Sequence, residues 1–235
     1  MRFFHKATLD LSIIMPCLNE EATVGLCVDR ALSFIRNTNL KGEVLVVDNG
    51  SKDGSSRIAK LHGATVIWEP RRGYVRALRT GLACSRGRIL LFGDCDLSYD
   101  FRKLFPFFRP LQKNRCDMVI GNRFHSSMEK GAIPVSHLWG VPMLSALGRL
   151  RYRIHVIDFH CGLRSMTRQA AKQMHLSCDG MEFATEMIAE AARLRLCVAQ
   201  PKITLHRCPP NRQSKLRTIP DGLRHLKYIL FHPLE

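Results

Sequence analysis

Apolar residues arrive in short runs separated by stretches where they recur every three or four positions. Residues 11–15, Leu-Ser-Ile-Ile-Met, read as a first strand stopped by Pro16. Glu20 and Glu21 then open a helix, placed where the positive end of its dipole favours acids. Its apolar positions Val24, Cys27, Val28, Ala31, Leu32 and Ile35 keep helical spacing. Residues 44–47 form a second strand, 55–61 a short helix and 65–68 a third strand. A basic turn, Arg71-Arg72-Gly73, leads into a helix ending near Ser85, and 89–92 make a fourth strand. Such alternation predicts an α/β fold: a mostly parallel sheet with helices on both faces.

Later elements are sparser. Residues 116–120 read as a fifth strand, Gly121-Asn122-Arg123-Phe124 follows, and the polar stretch with Gly and Pro from there to His137 suits a mobile loop. Helices follow over 138–153 and 181–194, and a late strand begins at 197–199 and extends toward Leu205. No linker, internal repeat or low-complexity tract interrupts the chain, so one domain over 1–235 is expected. Its end, 207–235, is a basic amphipathic segment: Ile219, Leu223, Leu226 and Leu230 recur while Arg217, Arg224 and Lys227 intervene. Such a helix can lie on an anionic membrane surface or pack on its own domain.

In parallel sheets ligands bind beyond the carboxyl ends of the strands. Two acidic turns fall there. Ile89-Leu90-Leu91-Phe92-Gly93 delivers Asp94-Cys95-Asp96, and Val44-Leu45-Val46-Val47 delivers Asp48-Asn49-Gly50-Ser51. A lone Asp at a strand end is often a helix cap, and Asn-Gly is ordinary turn chemistry. Two carboxylates one residue apart, however, are hard ligands for Mg²⁺ or Mn²⁺ carrying substrate phosphates. Cys95 between them should point into the sheet. The dinucleotide G-x-G-x-x-G and the P-loop Gly-Lys-Ser/Thr are both missing from these turns.

Charge narrows the partners. Lys and Arg total 36 against 20 acids, a formal +16. That excess attracts a polyanion: a nucleic acid, a phosphorylated substrate or an anionic membrane. No recognition-helix, zinc-finger or RNP signature favours nucleic acid. Nine cysteines, an odd number without a C-x-x-C pair, fit a reducing, cytoplasmic compartment better than a disulfide framework. His160-Cys161 is too small a cluster for zinc. The N-terminus lacks a signal-peptide core, and no apolar run approaches the ~20 residues that span a bilayer.

The ordered set Met15-Pro16-Cys17-Leu18-Asn19-Glu20-Glu21, Val47-Asp48-Asn49-Gly50-Ser51, Gly73 with Ala77, Gly81 and Ala83, and Gly93-Asp94-Cys95-Asp96-Leu97 resembles family 2 glycosyltransferases of GT-A fold. Gly121-Asn122-Arg123-Phe124, the segment from Asp158 to Arg164, Gly180-Met181-Glu182-Phe183 with Glu186, and Ser214-Lys215-Leu216 extend the likeness. More narrowly, it resembles the polyprenyl-phosphate sugar transferases, the dolichyl-phosphate mannose and glucose synthase group.

That resemblance implies an inverting, metal-dependent enzyme moving a sugar from a nucleotide-sugar donor to a polyprenyl phosphate. Pro16, Asn19, Glu20 and Asp48 would line the nucleotide pocket, with Asn49 where many relatives carry a second Asp. Asp94 and Asp96 would hold Mg²⁺ or Mn²⁺. Arg123, Arg207 and Lys215 would face donor or acceptor phosphates. Asp158, as base or as positioning group, would stand near the reacting centre with Asp96 and Arg123. Ser98 matches the mannose synthases, whereas Tyr99 departs from the usual His. Many relatives continue into transmembrane helices, so membrane contact here is expected to be peripheral or supplied by a membrane-protein partner. Transfer to a saccharide hydroxyl is the neighbouring alternative, with Asp158 then the base.

Overall fold

The computed structural model of the protein describes residues 7–124, 128–129, 131–209 and 218–232. Lys215 therefore lies outside the described residues. Strands β1 (Leu9–Cys17), β2 (Gly42–Asp48), β3 (Thr65–Trp68) and β4 (Gly87–Phe92) alternate with helices α1 (Val24–Asn37), α2 (Ser55–Leu61) and α3 (Tyr74–Cys84). All four strands run parallel. β1, β2 and β4 are apolar along most of their length because both sheet faces are covered there, whereas the edge strand β3 is only partly buried.

Two local expectations need correction. β1 does not stop at Pro16 but runs to Cys17, with Pro16 in register with Val47 of β2. Pairing of β1 with β4 has already ended at Ile14 and Phe92, so the missing proline N–H costs no ladder bond. Helix α1 begins at Val24 rather than Glu20. The Glu20 N–H is taken by Ser55 Oγ at 2.8 Å, and the Glu21 carboxylate accepts from Gly54 N at 2.6 Å. The Glu20 backbone and the Glu21 carboxylate thus tie this segment to the neighbouring turn.

After β4 the chain forms α4 (Phe105–Gln112), β5 (Met118–Ile120), α5 (Val135–Tyr152), β6 (Arg164–Thr167), α6 (Arg168–Gln173) and α7 (Phe183–Arg193). β7 (Val198–Ala199) and α8 (Thr218–Phe231) complete the described elements. The sheet order is β3-β2-β1-β4-β6-β5-β7. β6 runs antiparallel to both β4 and β5. It pairs Arg164 with Phe92 and with Ile120, so the start of β6 meets the carboxyl ends of two other strands. The late strand stops at Ala199; beyond it only bridges Asn122–Lys202 and Met128–Leu205 continue the line toward Leu205.

The core is continuous from β1 and β4 to Tyr228 and Ile229 of α8. At the amino end of the sheet the buried Glu43 carboxylate ties strands together, accepting from Ser12 Oγ at 2.7 Å and from the Arg86 guanidinium at 2.8 and 3.0 Å. Beside it, a Cβ added to Gly87 would sit 2.6 Å from the Leu11 carbonyl carbon and closer still to Ser12 N. Backbone cannot rotate away as a side chain can. Gly87→Ala should therefore cost about 1–3 kcal/mol, as overpacked cores do, lowering Tm in thermal denaturation by roughly 2–4 °C per kcal/mol.

Candidate active site

A cleft of about 520 Å³ opens at the carboxyl ends of β1 and β4. The strand order reverses there, since β2 lies on one side of β1 and β4 on the other. Of the residues expected from sequence, Pro16, Glu20, Asn49, Asp94, Asp96 and Arg123 line this cleft. Asn19, Asp48, Asp158 and Arg207 do not.

Each missing residue has a local role. Asn19 adopts φ +51° and its Oδ1 accepts from Lys52 N at 2.8 Å, stapling the β1 turn to the β2 turn. Asp48 is buried and folds its own turn, accepting from Ser51 N at 2.9 Å and from the Ser56 hydroxyl. Arg207 is exposed, and its backbone N–H donates to Glu129 Oε2 at 2.7 Å. Asp158 is fully buried. Arg123 clamps it in bidentate fashion, Nε to Oδ2 at 2.6 Å and Nη2 to Oδ1 at 2.8 Å, and the backbone N–H groups of Arg123 and His160 donate at 3.3 and 3.2 Å. The expectation that Asp158 meets the reacting atoms gives way to a carboxylate whose oxygens are already engaged inside the protein. It aims Arg123 into the cleft.

The acidic turn is shaped by its neighbours. Cys95 points inward, its thiol donating to Pro16 O at 3.2 Å. Leu97 takes φ +68°, a left-handed value that costs a branched residue about 1–2 kcal/mol. That bend lets Ser98 N and Oγ reach Asp96 Oδ1 at 3.0 and 2.5 Å. Asp94 borders Tyr74, whose hydroxyl is held protonated by burial first and by the Asp94 charge second, so it donates to Asp94. Tyr99 Oη accepts from Gly162 N at 2.9 Å and anchors the segment facing the acidic turn.

The same cleft is also lined by buried cations, Arg123 and Arg164. Arg123 keeps its charge: burial opposes it, but Asp158 outweighs that and raises its pKa. Arg164, also buried, donates Nε to Cys161 O at 2.7 Å and Nη1 to Ala184 O at 2.9 Å, locking β6 to α7. Burial pulls the Arg164 pKa down. Burial, then His225, Arg123 and Arg164, push the His160 pKa well below normal, so its ring is neutral. Tyr74, Tyr99, His160 and Arg164 were not singled out as site residues from sequence. Their one signal was position, beside Gly73, the acidic turn and Asp158.

Asn49 is explained by the third wall. Its Nδ2 donates to Glu69 O at 3.0 Å and Arg71 O at 2.9 Å, while Oδ1 accepts from Gly73 N at 2.7 Å. An Asp could not make the first two bonds. Asn49 thereby fixes the turn that brings Arg72, Gly73 and Tyr74 to the cleft.

Two hard carboxylates suit Mg²⁺ or Mn²⁺, ions that take one or two carboxylates and complete their shell with substrate phosphates. Among the described residues no group of three His, Cys, Asp or Glu side chains converges. The donor set therefore fits an ion shared with a substrate rather than one caged by protein alone.

A mostly parallel sheet with one reversed strand, and an acidic turn beside the switch point, define an α/β protein of GT-A type. The chain belongs to glycosyl transferase family 2, whose sequence model matches residues 12–174. It is 34% identical over 221 residues to the low-salt glycan biosynthesis hexosyltransferase Agl6 of Haloferax volcanii, covering 94% of this chain and 53% of the relative. It is 29% identical to the dolichyl-phosphate beta-glucosyltransferase of Drosophila melanogaster, covering 82% and 66%. The chain thus spans about half to two-thirds of the length of these relatives. Glucosyl-3-phosphoglycerate synthase from Mycobacterium tuberculosis, solved with Mn²⁺, UDP-glucose and phosphoglyceric acid, superposes with a TM-score of 0.74 at 24% identity, covering 94% of this chain and 80% of that one. At that identity it shows a shared fold.

Two measurements follow from this geometry. A Cβ on Gly162 would lie 2.8 Å from Asp94 Oδ2, so Gly162→Ala should push Asp94 aside and weaken Mn²⁺ binding in calorimetry with nucleoside diphosphate present. Glu69 is held at a pKa of about 2, below its ordinary 4.5, chiefly by the Arg71 hydrogen bond and then Thr80. A depressed carboxylate stabilises the fold above its unfolded pKa and loses that contribution as pH falls through the folded value. The stability gap between wild type and Glu69→Gln should accordingly close between pH 4.5 and about 2 in acid-titrated denaturation.

Proposed function

We propose that this chain transfers a sugar from a nucleoside diphosphate donor to a polyprenyl phosphate at a membrane surface, inverting the anomeric centre with a divalent metal. One observation carries the reading: Asp94, Asp96 and Arg123 line a single cleft, two carboxylates together with a buried guanidinium. Such a cleft can bring two anions together without their repulsion dominating. The likeness to dolichyl-phosphate beta-glucosyltransferases supports the lipid phosphate. The Mn²⁺ and UDP of a structural neighbour support the donor and the metal.

Asp94 and Asp96 would hold the metal, which when bound neutralises charge on the departing diphosphate. Tyr74 and Ser98 orient these carboxylates through their hydroxyls. A phosphate monoester has a second pKa near ~6 and is largely dianionic at neutral pH. It needs no base. That suits a site where Asp158, the carboxylate expected near the reacting centre, is committed to Arg123. Arg123, kept charged, would screen the acceptor phosphate as it approaches the sugar carbon from the face opposite the diphosphate. A saccharide hydroxyl would require a base, and Asp158, the base expected for that alternative, is engaged by Arg123. Lys215 and Arg207 would serve the acceptor headgroup, and the basic surface suits the anionic cytoplasmic leaflet.

With a radiolabelled nucleotide sugar and a short polyprenyl phosphate, label should move into the organic phase and stop when the metal is chelated. Asp96→Ala should reduce turnover by at least ~10²-fold, the scale on which lost electrostatic stabilisation acts. Near-normal activity in that variant, or label only in aqueous products, would overturn the assignment.

A further inference from the structure

His160 lies on the segment before β6, partly buried, and lines the cleft. Its ring meets that of His225 edge to face at 4.3 Å. A neutral imidazole carries one N–H donor and one lone-pair acceptor. Here Nε2 lies 3.5 Å from Thr185 Oγ1, at the limit of a hydrogen bond, while the same hydroxyl sits 2.8 Å from His225 Nδ1. The other nitrogen, Nδ1 of His160, is buried and has no hydrogen-bond partner among the described residues. A buried polar atom left unpaired is uncommon, and it costs free energy that a ligand could recover.

Thr185 has one hydroxyl proton for two rings. Its short contact is with His225, so the proton goes to His225 Nδ1, and His160 keeps its own proton on Nε2, facing the Thr185 oxygen. Nδ1 of His160 is then a lone pair, the form that the charges of Arg123 and Arg164 also favour. A lone pair accepts from a hydroxyl and repels a phosphate oxygen. Position sorts the hydroxyls of a nucleotide sugar. In the order β2-β1-β4-β6, the Asn49 turn follows β2 and His160 precedes β6, three strands away. At ~4.8 Å per strand that separation is about 14 Å. With the nucleoside beside Pro16 and Asn49, and the diphosphate at the acidic turn after β4, the β6 side is left for the sugar.

We propose that His160 is a specificity-determining residue whose Nδ1 accepts a hydrogen bond from one hydroxyl of the transferred sugar, with Thr185 on α7 and His225 on α8 setting the ring from behind. The inference rests on the transferase reading and adds to it the side chain that distinguishes one sugar from another. The loose contact with Thr185 lets the ring turn about its broad, two-fold χ2 torsion toward an entering hydroxyl. Arg123 and Arg164 are donors only and suit oxyanions, so His160 supplies an acceptor that the buried cations of the cleft cannot. A site built to accept from a hydroxyl rejects a sugar lacking it, because the nitrogen is then left unpaired again.

The test is calorimetry on the full chain with Mn²⁺, using whichever of UDP-glucose and GDP-mannose binds more tightly, its monodeoxy forms, and the matching nucleoside diphosphate. His160→Phe should weaken binding of the intact donor about tenfold and leave the nucleoside diphosphate unchanged. One deoxy donor should show a similar loss with wild type and no further loss with His160→Phe, the mark of a shared contact. His160→Asn, whose amide oxygen stands in for Nδ1, should recover most of the affinity at an unchanged Tm. Independently of any variant, the ¹⁵Nδ1 resonance of His160 in wild type should shift with the intact donor and stay in place with that deoxy donor. Equal losses of donor and nucleoside diphosphate in His160→Phe, or a deoxy series bound as tightly as the intact donor, would overturn the role of His160 and leave sugar transfer standing. Failure of both nucleotide sugars and both nucleoside diphosphates to bind would remove the transferase reading, and the inference with it.

Discussion

The buried pair between Arg123 and Asp158 is the interaction on which the arrangement of the cleft depends. It joins the turn after β5 to the segment before β6 through bonds of 2.6 and 2.8 Å, with Asp158 fully enclosed. Removing two charges from water costs several kcal/mol each, and only good geometry with further hydrogen bonds repays it. Here the backbone N–H groups of Arg123 and His160 supply those further bonds. The pair is therefore poor evidence of extra stability and better evidence of placement: it keeps a guanidinium charged at the floor of a cleft. Breaking it from one side would strand a charge in the interior.

Placement also follows from the reversed strand. Had β6 run parallel, its first residue would lie at the far end of the sheet from Asp94. Antiparallel pairing instead sets Arg164 opposite Phe92 and brings Gly162 against Asp94 Oδ2. Tyr99 and Tyr74 close the gap from the other sides. One segment, 158–164, thus supplies a cation, a neutral imidazole and the glycine that gives the acidic turn its space.

Strands β1 to β4 were legible because each is a short, largely apolar run ended by a turn former, with both faces buried in β1, β2 and β4. β6 was not: Arg-Ser-Met-Thr shows no apolar run, since its Arg164 and Ser165 are buried as hydrogen-bond donors to carbonyls rather than as hydrophobes. α4 was hidden by Pro106 and Pro110, which sit where a helix tolerates them only near its start or with a local distortion. In the cleft, the strand-end acids could be anticipated because their location follows from topology alone. The tasks of Asp48, Asn49 and Asp158 could not, because a carboxylate or amide that folds a turn looks identical in sequence to one that meets a ligand. Only the partners distinguish them. Asn49 is the clearest case, as its donors are spent on Glu69 and Arg71 carbonyls.

The same logic explains why the helical pattern near the end of the chain was half readable. In α8 the inward positions His225 and Tyr228 are polar-capable and the outward Ile219 and Leu223 are apolar, an inversion of the usual rule that the apolar stripe faces the core. The hydrophobic effect assigns apolar surface to whatever excludes water, which need not be the domain itself. His225 can be buried because Thr185 Oγ1 meets its Nδ1 at 2.8 Å and burial keeps the ring neutral, with a pKa near 4. Edge-to-face contact with His160 at 4.3 Å then couples α8 to the cleft wall. Ile229 joins His225 and Tyr228 inward, so α8 is held by an apolar anchor as well as by the contacts of His225.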